Sequence, residues 1–187
     1  MKELTPELLE GCRNDDRRSQ SLLYEMISGV LYGMSRRYYI NKEDRIMQVN
    51  TAFMKILTSL KNQTPEGSFE AWCRRIMRNC IIDEFRRNKR HKEMMDYSGL
   101  KDKELDPQTF QTAHENVDAE ELEAMLLRLP EATRCVFNLF AIEGYSHQEI
   151  SVQTGMSEGT SRWHVSDART KLRAWITDAI HQKSNIK

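Results

Sequence analysis

Apolar residues recur at intervals of three and four along most of the chain, which is the period of an amphipathic helix. The pattern runs through residues 4–60, breaks at the Pro- and Gly-containing segment 61–68, and resumes over about 69–91. It fades after residue 95 and returns over about 119–180. No strand-like alternation of useful length occurs, so we predict an all-α fold.

The segment between the two helical blocks is polar and contains Gly99 and Pro107. Such a composition is typical of a linker, because it offers little apolar surface to bury. We therefore predict two small helical domains: a bundle of about four helices in residues 1–95 and about four further helices in 119–187. A flexible acidic linker, 96–118, would join them.

Charge is segregated along the chain, although 28 basic and 28 acidic residues give a formal net charge of zero. Residues 71–92 carry eight basic and two acidic side chains, whereas residues 93–123 carry two basic and ten acidic ones. The neutral total therefore does not argue against binding to nucleic acid, since a basic surface can exist beside an acidic segment.

Several classes of protein are disfavoured by what the sequence lacks. It has no signal peptide and no apolar run of about 18 residues, so we expect a cytoplasmic protein. It also has no Gly-rich phosphate loop, metal-ligand cluster or nucleophile motif, and we predict neither catalytic residues, nor a metal, nor a cofactor. The spacing of the four cysteines favours reduced, buried packing roles for Cys12, Cys73, Cys80 and Cys135.

Residues 146–173 predict two capped helices joined by a tight turn. Ser146 and Glu149 have the spacing of a capping box at the start of the first helix. Gly155 suits the positive φ that ends a helix, and Ser157 can cap the next one. A short helix, a Gly-containing turn and a longer helix form the helix-turn-helix pattern, which is found in many DNA-binding proteins.

The second of these helices has an inward apolar face and an outward face suited to DNA. The inward face recurs at three and four residues: Ser161, Val165, Ala168, Leu172, Ile176 and Ala179. Trp163 is predicted near the middle of the opposite side, between cationic flanks. It could contact a thymine methyl group in a DNA groove, or pack on the linker or on a partner.

The segment 69–92 predicts a long helix that ends in a basic tail. Its apolar stripe includes Trp72, which could either stack on an unpaired base or lie in the core. Arg75, Asn79 and Arg86 form a line beside that stripe, and cationic side chains there are suited to phosphates.

At these residues the chain resembles a bacterial RNA polymerase sigma factor of the extracytoplasmic-function (ECF) sigma-70 group. The segment FEAWCRRIMRNCIIDEFRRNKRH resembles region 2, which melts and binds the −10 promoter element. The segment beginning LPEATRCVFNLFAIEGYSHQEI and ending SDARTKLR resembles region 4, which reads the −35 element. Two matches in this order, joined by an acidic linker, are more specific than either alone.

The resemblance implies a role for particular residues. Contacts with single-stranded −10 DNA are implied for Trp72, Arg75, Asn79, Arg86, Arg87, Lys89 and Arg90. Contacts with the −35 duplex are implied for Ser157, Glu158, Gly159, Thr160, Arg162, Trp163, Ser166, Asp167, Arg169 and Lys171. In the segment EDRIMQVNTAFMKIL, contacts with the polymerase clamp are implied for Asp44, Gln48, Asn50 and Phe53.

Two departures from the family pattern fall in region 4. Trp163 stands where a small residue is common, and Asp167 stands where Arg is common. An acid at 167 could accept a hydrogen bond from a cytosine amino group, which would give an unusual −35 sequence.

The implied function is to direct core RNA polymerase to promoter DNA, without catalysis by the chain itself. The resemblance also implies an anti-sigma protein as a partner, often one anchored in the inner membrane, and no direct membrane insertion of this chain. An alternative is a freestanding helix-turn-helix regulator, which would bind palindromic duplex DNA without polymerase. An enzyme is a third and weaker alternative.

Overall fold

The computed structural model describes residues 4–62, 67–95 and 118–184 of the chain, and the regular secondary structure in this part is helical. The helices are α1 (Pro6–Arg13), α2 (Arg17–Arg36), α3 (Lys42–Asn62), α4 (Phe69–Met95), α5 (Ala119–Arg128), α6 (Glu131–Ala141), α7 (His147–Thr154) and α8 (Glu158–Ser184). The prediction of an all-α fold is confirmed, with four helices before the predicted linker and four after it in the described residues. Residues 96–117 of the predicted linker lie outside those residues, and so do residues 63–66, which are half of the Pro- and Gly-containing segment 61–68.

The chain divides into two compact units, Met1–Asp83 and Glu84–Lys187. This boundary falls within α4, whereas the sequence pattern placed the end of the first domain near residue 95. None of the helices in the described part of the chain has the length and apolarity that a membrane span requires.

The first unit is built around α2, α3 and the first half of α4. Its largest fully buried side chains are apolar: Leu23, Leu31, Met34, Ile56, Leu60, Met77 and Ile82. Helix α1 is tied to the end of α3 by Arg13, whose Nε donates to the carbonyl oxygen of Leu60 at 3.0 Å. An ion pair between Lys61 and Asp15, 2.6 Å apart, adds a second link.

The turn between α1 and α2 is unusually close. Asp15 adopts a φ of 60°, and Asp16 caps α2 by accepting a hydrogen bond from the backbone N–H of Ser19 at 2.8 Å. Gly11 packs directly against the Ser19 side chain, and a Cβ atom at residue 11 would overlap it. A glycine is therefore required at this approach.

All four cysteines are buried and free of disulfides, as the sequence predicted. Burial raises the pKa of the Cys73 and Cys135 thiols to about 12, because the charged thiolate is poorly solvated there. These thiols stay protonated at neutral pH and act as packing groups.

In the second unit, α5 and α6 frame the start of the helix-turn-helix. Asp118 and Glu121 form a capping box at the start of α5. The buried guanidinium of Arg134 donates to the carbonyl oxygens of Leu127 and Leu129, both at 2.9 Å. Because these carbonyls lie at the end of α5, Arg134 fixes the turn that leads into α6. A core cluster then joins α5 to α8: Met125, Leu126, Leu129, Ala168 and Leu172.

Candidate nucleic-acid interface

The helix-turn-helix is formed by α7 and α8, and the predicted caps are all present. Ser146 and Glu149 exchange hydrogen bonds in a capping box, with the Glu149 backbone N–H 3.2 Å from Ser146 Oγ. Gly155 ends α7 with a φ of 71°. Ser157 then accepts from the Thr160 backbone N–H at 3.0 Å and caps α8. The first residues of α8 are thereby presented at an exposed helix start, where backbone N–H groups favour an anion.

The inward face of α8 is as predicted. Ser161, Val165, Ala168 and Leu172 are buried, and Ile176 and Ala179 are partly buried. This face fixes which side chains of α8 can meet DNA.

The outward face of α8 combines cations, an aromatic ring and small polar groups. Glu158, Gly159 and Arg162 are exposed, and Arg162 forms an ion pair with Glu158 at 3.2 Å. The half-buried Arg169 lies over the ring of Phe140, with its Cζ 5.6 Å from the centroid. Such a surface can donate to base edges and to phosphates, while an acid beside Arg162 limits non-specific attraction.

Asp167, for which the family resemblance implies a contact with the −35 duplex, is largely buried. Its side chain is only 17% exposed, and its Oδ2 accepts hydrogen bonds from Lys171 at 2.7 Å and from Thr133 at 3.4 Å. Asp167 is therefore directed toward α6 in this structure. Lys171, also expected at DNA, is engaged with Asp167.

Trp163 is half-buried and meets the neighbouring His164 edge-on, with ring centroids 4.9 Å apart and planes at 71°. His164 in turn places its Nδ1 atom 3.0 Å from the hydroxyl of Thr133 on α6. Neither His164 nor Thr133 was singled out from the sequence, because their partnership joins residues 31 positions apart.

His147 is a second residue that the sequence did not single out. Its ring stacks on Phe140 at 4.5 Å, and its Nδ1 lies 3.0 Å from Ser161 Oγ. Burial lowers the pKa of His147, and the nearby cations Arg162 and Arg169 lower it further. The neutral ring therefore links α7 to α8.

In α4, the line of residues predicted to meet single-stranded DNA is only partly exposed. Arg75, Asn79 and Arg87 are exposed. Trp72 is buried: it is 4% exposed, and its ring centroid lies 5.7 Å from that of Phe69. Of the two positions that the sequence allowed for Trp72, the structure has the core position. Arg86 donates to the carbonyl oxygen of Val152 at 2.7 Å. The side chains of Lys89 and Arg90 lie outside the described part of the chain.

Asn79 lines a groove of about 420 Å³ between α3 and α4. The groove is spanned by an ion pair between Lys55 and Asp83, 3.0 Å apart, which raises the pKa of Lys55. The groove is lined by an amide, an ion pair, two hydroxyls and the apolar side chains of Met54 and Ile76. Such a mixed lining is suited to a planar group with polar edges.

In α3, the residues predicted to contact polymerase do not share one surface. Gln48 is 3% exposed, and Phe53 packs edge-on against Tyr24 at 5.0 Å. Asn50 is exposed and accepts a hydrogen bond from Tyr24, whereas Asp44 is half-buried near Asn41. Gln48 and Phe53 point inward because they lie on the side of α3 that packs on α2.

A different face of α3 is apolar and open. Met47 and Met54 are 54% and 60% exposed, and Ile46 lies beside them. Together with Glu43, Asn50 and Thr51 they line a shallow groove of about 570 Å³. This face lies one residue away from the predicted positions: exposed Met47 is next to Gln48, and exposed Met54 is next to Phe53. Both faces follow the same helical period in the sequence.

Comparison with known proteins gives two family matches in this chain. Residues 23–91 match Sigma-70 region 2, and residues 119–172 match Sigma-70, region 4.

Two curated relatives align over most of the chain. The ECF RNA polymerase sigma factor SigE of Mycolicibacterium smegmatis is 31% identical over 149 residues, which cover 78% of this chain and 57% of the relative. The alignment thus spans little more than half of that relative's length. The ECF RNA polymerase sigma factor EcfG of Rhodopseudomonas palustris is 32% identical over 128 residues, covering 68% of each chain.

A solved structure of the sigma factor RpoE in complex with the anti-sigma factor NepR, from Bartonella quintana, aligns with a TM-score of 0.49. Its sequence identity is 18%, over 84% of this chain and 96% of that chain.

Proposed function

The chain belongs to the ECF RNA polymerase sigma factors of the sigma-70 family, and from that premise we propose how its two units share the work of promoter recognition. The second unit reads the −35 duplex through α8, and the first part of α4 holds the single-stranded −10 element. Core RNA polymerase presents both DNA elements at the required separation. Two modest contacts on one chain then act together through their effective concentration.

The observation that carries this proposal is the outward face of α8, which lies within the region 4 match. Its exposed Arg162 can pair with a guanine edge, and Trp163 can meet a thymine methyl group. Ser157, Glu158, Gly159 and Thr160 stand at the helix start, where N-terminal residues of a recognition helix reach base edges. We assign Asp167 and Lys171 a supporting role, because both side chains are engaged within the domain.

For the −10 element we propose Arg75 as a phosphate contact and Asn79 as a base contact, both in the first part of α4. The groove beside Asn79 is large enough for one unpaired base, and Lys55 at its rim offers a cation. Trp72 supports this surface from the core instead of stacking on DNA.

For the polymerase we propose the open apolar face of α3, around Met47 and Met54, with Asn50 at its edge. Exposed apolar groups on a helix are typical of protein interfaces, and methionine adapts to an irregular partner. We propose further that the chain works in the cytoplasm, needs no cofactor and catalyses no reaction itself, and that an anti-sigma protein is a second protein partner.

The test is run-off transcription with purified bacterial core polymerase on a pool of upstream fragments, with and without the chain. We expect transcripts that start at a shared two-part motif only when the chain is present. Asn79→Ala should reduce selection of the downstream element, and Arg162→Ala that of the upstream element. Arg74→Ala is the matched control for Asn79→Ala, because Arg74 is exposed on the same helix and does not line the groove beside Asn79.

Two results would count against the proposal. One is a lack of stimulation together with a duplex footprint from the chain alone, which would favour a freestanding regulator. The other is equal loss of transcription in Asn79→Ala and Arg74→Ala, which would remove Asn79 from the site.

A further inference from the structure

A chain of hydrogen bonds crosses from α6 to the recognition helix α8 behind the DNA-facing surface. Thr133 of α6 is buried, and its hydroxyl lies 3.0 Å from His164 Nδ1 and 3.4 Å from Asp167 Oδ2. Asp167 also accepts from Lys171 Nζ at 2.7 Å. The four polar side chains therefore form one connected network.

The donors and acceptors of this network have one consistent arrangement. A hydroxyl has a single hydrogen, and a carboxylate only accepts. Both contacts are satisfied together when Thr133 donates to Asp167 and its oxygen accepts from an Nδ1–H of His164. In this arrangement the ring of His164 is oriented with Nδ1 toward Thr133.

The network constrains the rotation of α8 about its own axis, which the apolar face of α8 does not do. Val165, Ala168 and Leu172 hold α8 against the core by burial, which is non-directional. Hydrogen bonds depend steeply on angle, so the bonds from Thr133 to residues 164 and 167 resist rotation of α8 about its own axis. The two bonded residues, His164 and Asp167, lie almost one helical turn apart.

His164 transmits this orientation to the DNA-facing side. Its ring meets Trp163 edge-on with centroids 4.9 Å apart, a favourable geometry for two aromatic rings. A change in the angle of His164 would therefore change the direction of the neighbouring Trp163 ring.

We propose that Thr133, His164 and Asp167 are positioning residues that set the −35 preference of this chain without touching DNA, by fixing the rotation of α8 and the orientation of Trp163. The inference rests on the proposed function of α8. It differs from the interpretation of the sequence alone, in which Asp167 accepts a hydrogen bond from a base.

The test uses the full-length chain with core polymerase and promoter fragments randomised over the upstream element. Thr133→Val keeps the shape of the side chain and removes the hydroxyl. We expect it to lower the discrimination between preferred and disfavoured upstream sequences by about 5- to 20-fold, comparable to the loss of one good base contact. Total transcription from the pool should fall much less.

Four further variants separate positioning from general destabilisation. Thr133→Ser restores a hydroxyl and should restore the preference. Thr177→Val is the matched control, because Thr177 is exposed on α8 and its hydroxyl donates to the Arg173 carbonyl oxygen of the same helix. Asp167→Ala should relax the preference, and combining it with Thr133→Val should add little, since both remove the same network.

An unchanged preference in Thr133→Val would overturn the inference, as would an Asp167→Ala effect that is independent of Thr133 and confined to one base pair. The latter would make Asp167 a direct base contact. If Thr133→Val fails to fold, Thr133→Ser and Asp167→Ala still decide the matter, because an altered preference in Thr133→Ser or an unaltered one in Asp167→Ala contradicts it. Absence of promoter-dependent transcription with the unmodified chain would instead refute the proposed function itself.

Discussion

His147 Nδ1 lies 3.0 Å from Ser161 Oγ, so the first helix of the helix-turn-helix is bonded to the buried face of the second. Burial, Arg162 and Arg169 all lower the pKa of His147 from its ordinary value of 6.5. The folded domain therefore accepts a proton at His147 less readily than the unfolded chain does. Protonation favours unfolding.

We expect the stability contributed by neutral His147 to be complete above about pH 6.5 and to decline as the pH falls below that value. His147→Gln removes the titrating ring and should flatten this part of the profile. The measurement is urea unfolding of the full chain between about pH 5 and pH 8, followed by tryptophan fluorescence. Trp163 and Trp175 both report on the second unit.

His181→Gln is the matched control, because His181 is exposed near the end of α8. It should leave the profile unchanged. A His147→Gln variant that keeps the full loss of stability at low pH would show that another group is responsible.

The Gly11 approach to Ser19 predicts opposite effects for two glycine-to-alanine changes. Gly11→Ala places a Cβ atom against the Ser19 side chain and should destabilise the first unit by about 1–3 kcal/mol. Gly29→Ala meets nothing within 4 Å on the exposed side of α2 and should stabilise it by about 0.5–1 kcal/mol. Urea midpoints followed by far-ultraviolet circular dichroism test both. Equal midpoints for the two variants would mean that the α1–α2 turn adjusts without cost.

The helix-turn-helix could be predicted from the sequence because its signals are local. Ser146, Gly155 and Ser157 each act on backbone groups within four residues of themselves, so their spacing alone defines where α7 and α8 begin and end. The inward face of α8 follows from the helical period in the same way. Neither requires knowledge of the neighbouring helices.

The orientation of flank residues could not be predicted because it depends on distant partners. Asp167 lies at the side of α8, and its inward direction is set by Thr133, 34 residues away. Gln48 is a polar residue that the helical period does not distinguish from an exposed one, yet it is buried. The face of α3 offered to a partner therefore had to be read from the structure.

The open face of α3 predicts a variant that binds polymerase poorly but folds normally. Met47→Glu combined with Met54→Glu adds charge to two exposed side chains, so the unfolding midpoint should change little. Assembly with core polymerase should weaken by about tenfold or more if this face is the interface. Fluorescence anisotropy of labelled chain, titrated with core polymerase, measures the affinity. Leu4→Glu places one such charge on an exposed apolar residue ahead of α1, and it is compared with Met47→Glu alone. A loss as large as that of the single Met47→Glu variant would indicate a general charge effect.

Arg162 and Arg173 are exposed on one flank of α8, and we predict separate roles for them because they lie at different distances from the start of the helix. Arg162 lies at the start of the helix, where base edges are reached, so Arg162→Ala should cost about 1–3 kcal/mol of preference at one base pair of the upstream element. Arg173 is exposed three turns later, where we propose that it contacts a phosphate. Arg173→Ala should weaken binding to all sequences alike and reduce the salt slope by about 0.9.

Glu158→Gln releases Arg162 from its ion-pair partner and should raise the affinity for unrelated duplex DNA, because an acid no longer repels the phosphates. Titrations of the polymerase-bound chain on preferred and unrelated DNA at several salt concentrations measure all three. Identical salt slopes and preferences for Arg162→Ala and Arg173→Ala would show that the start of α8 does not read bases.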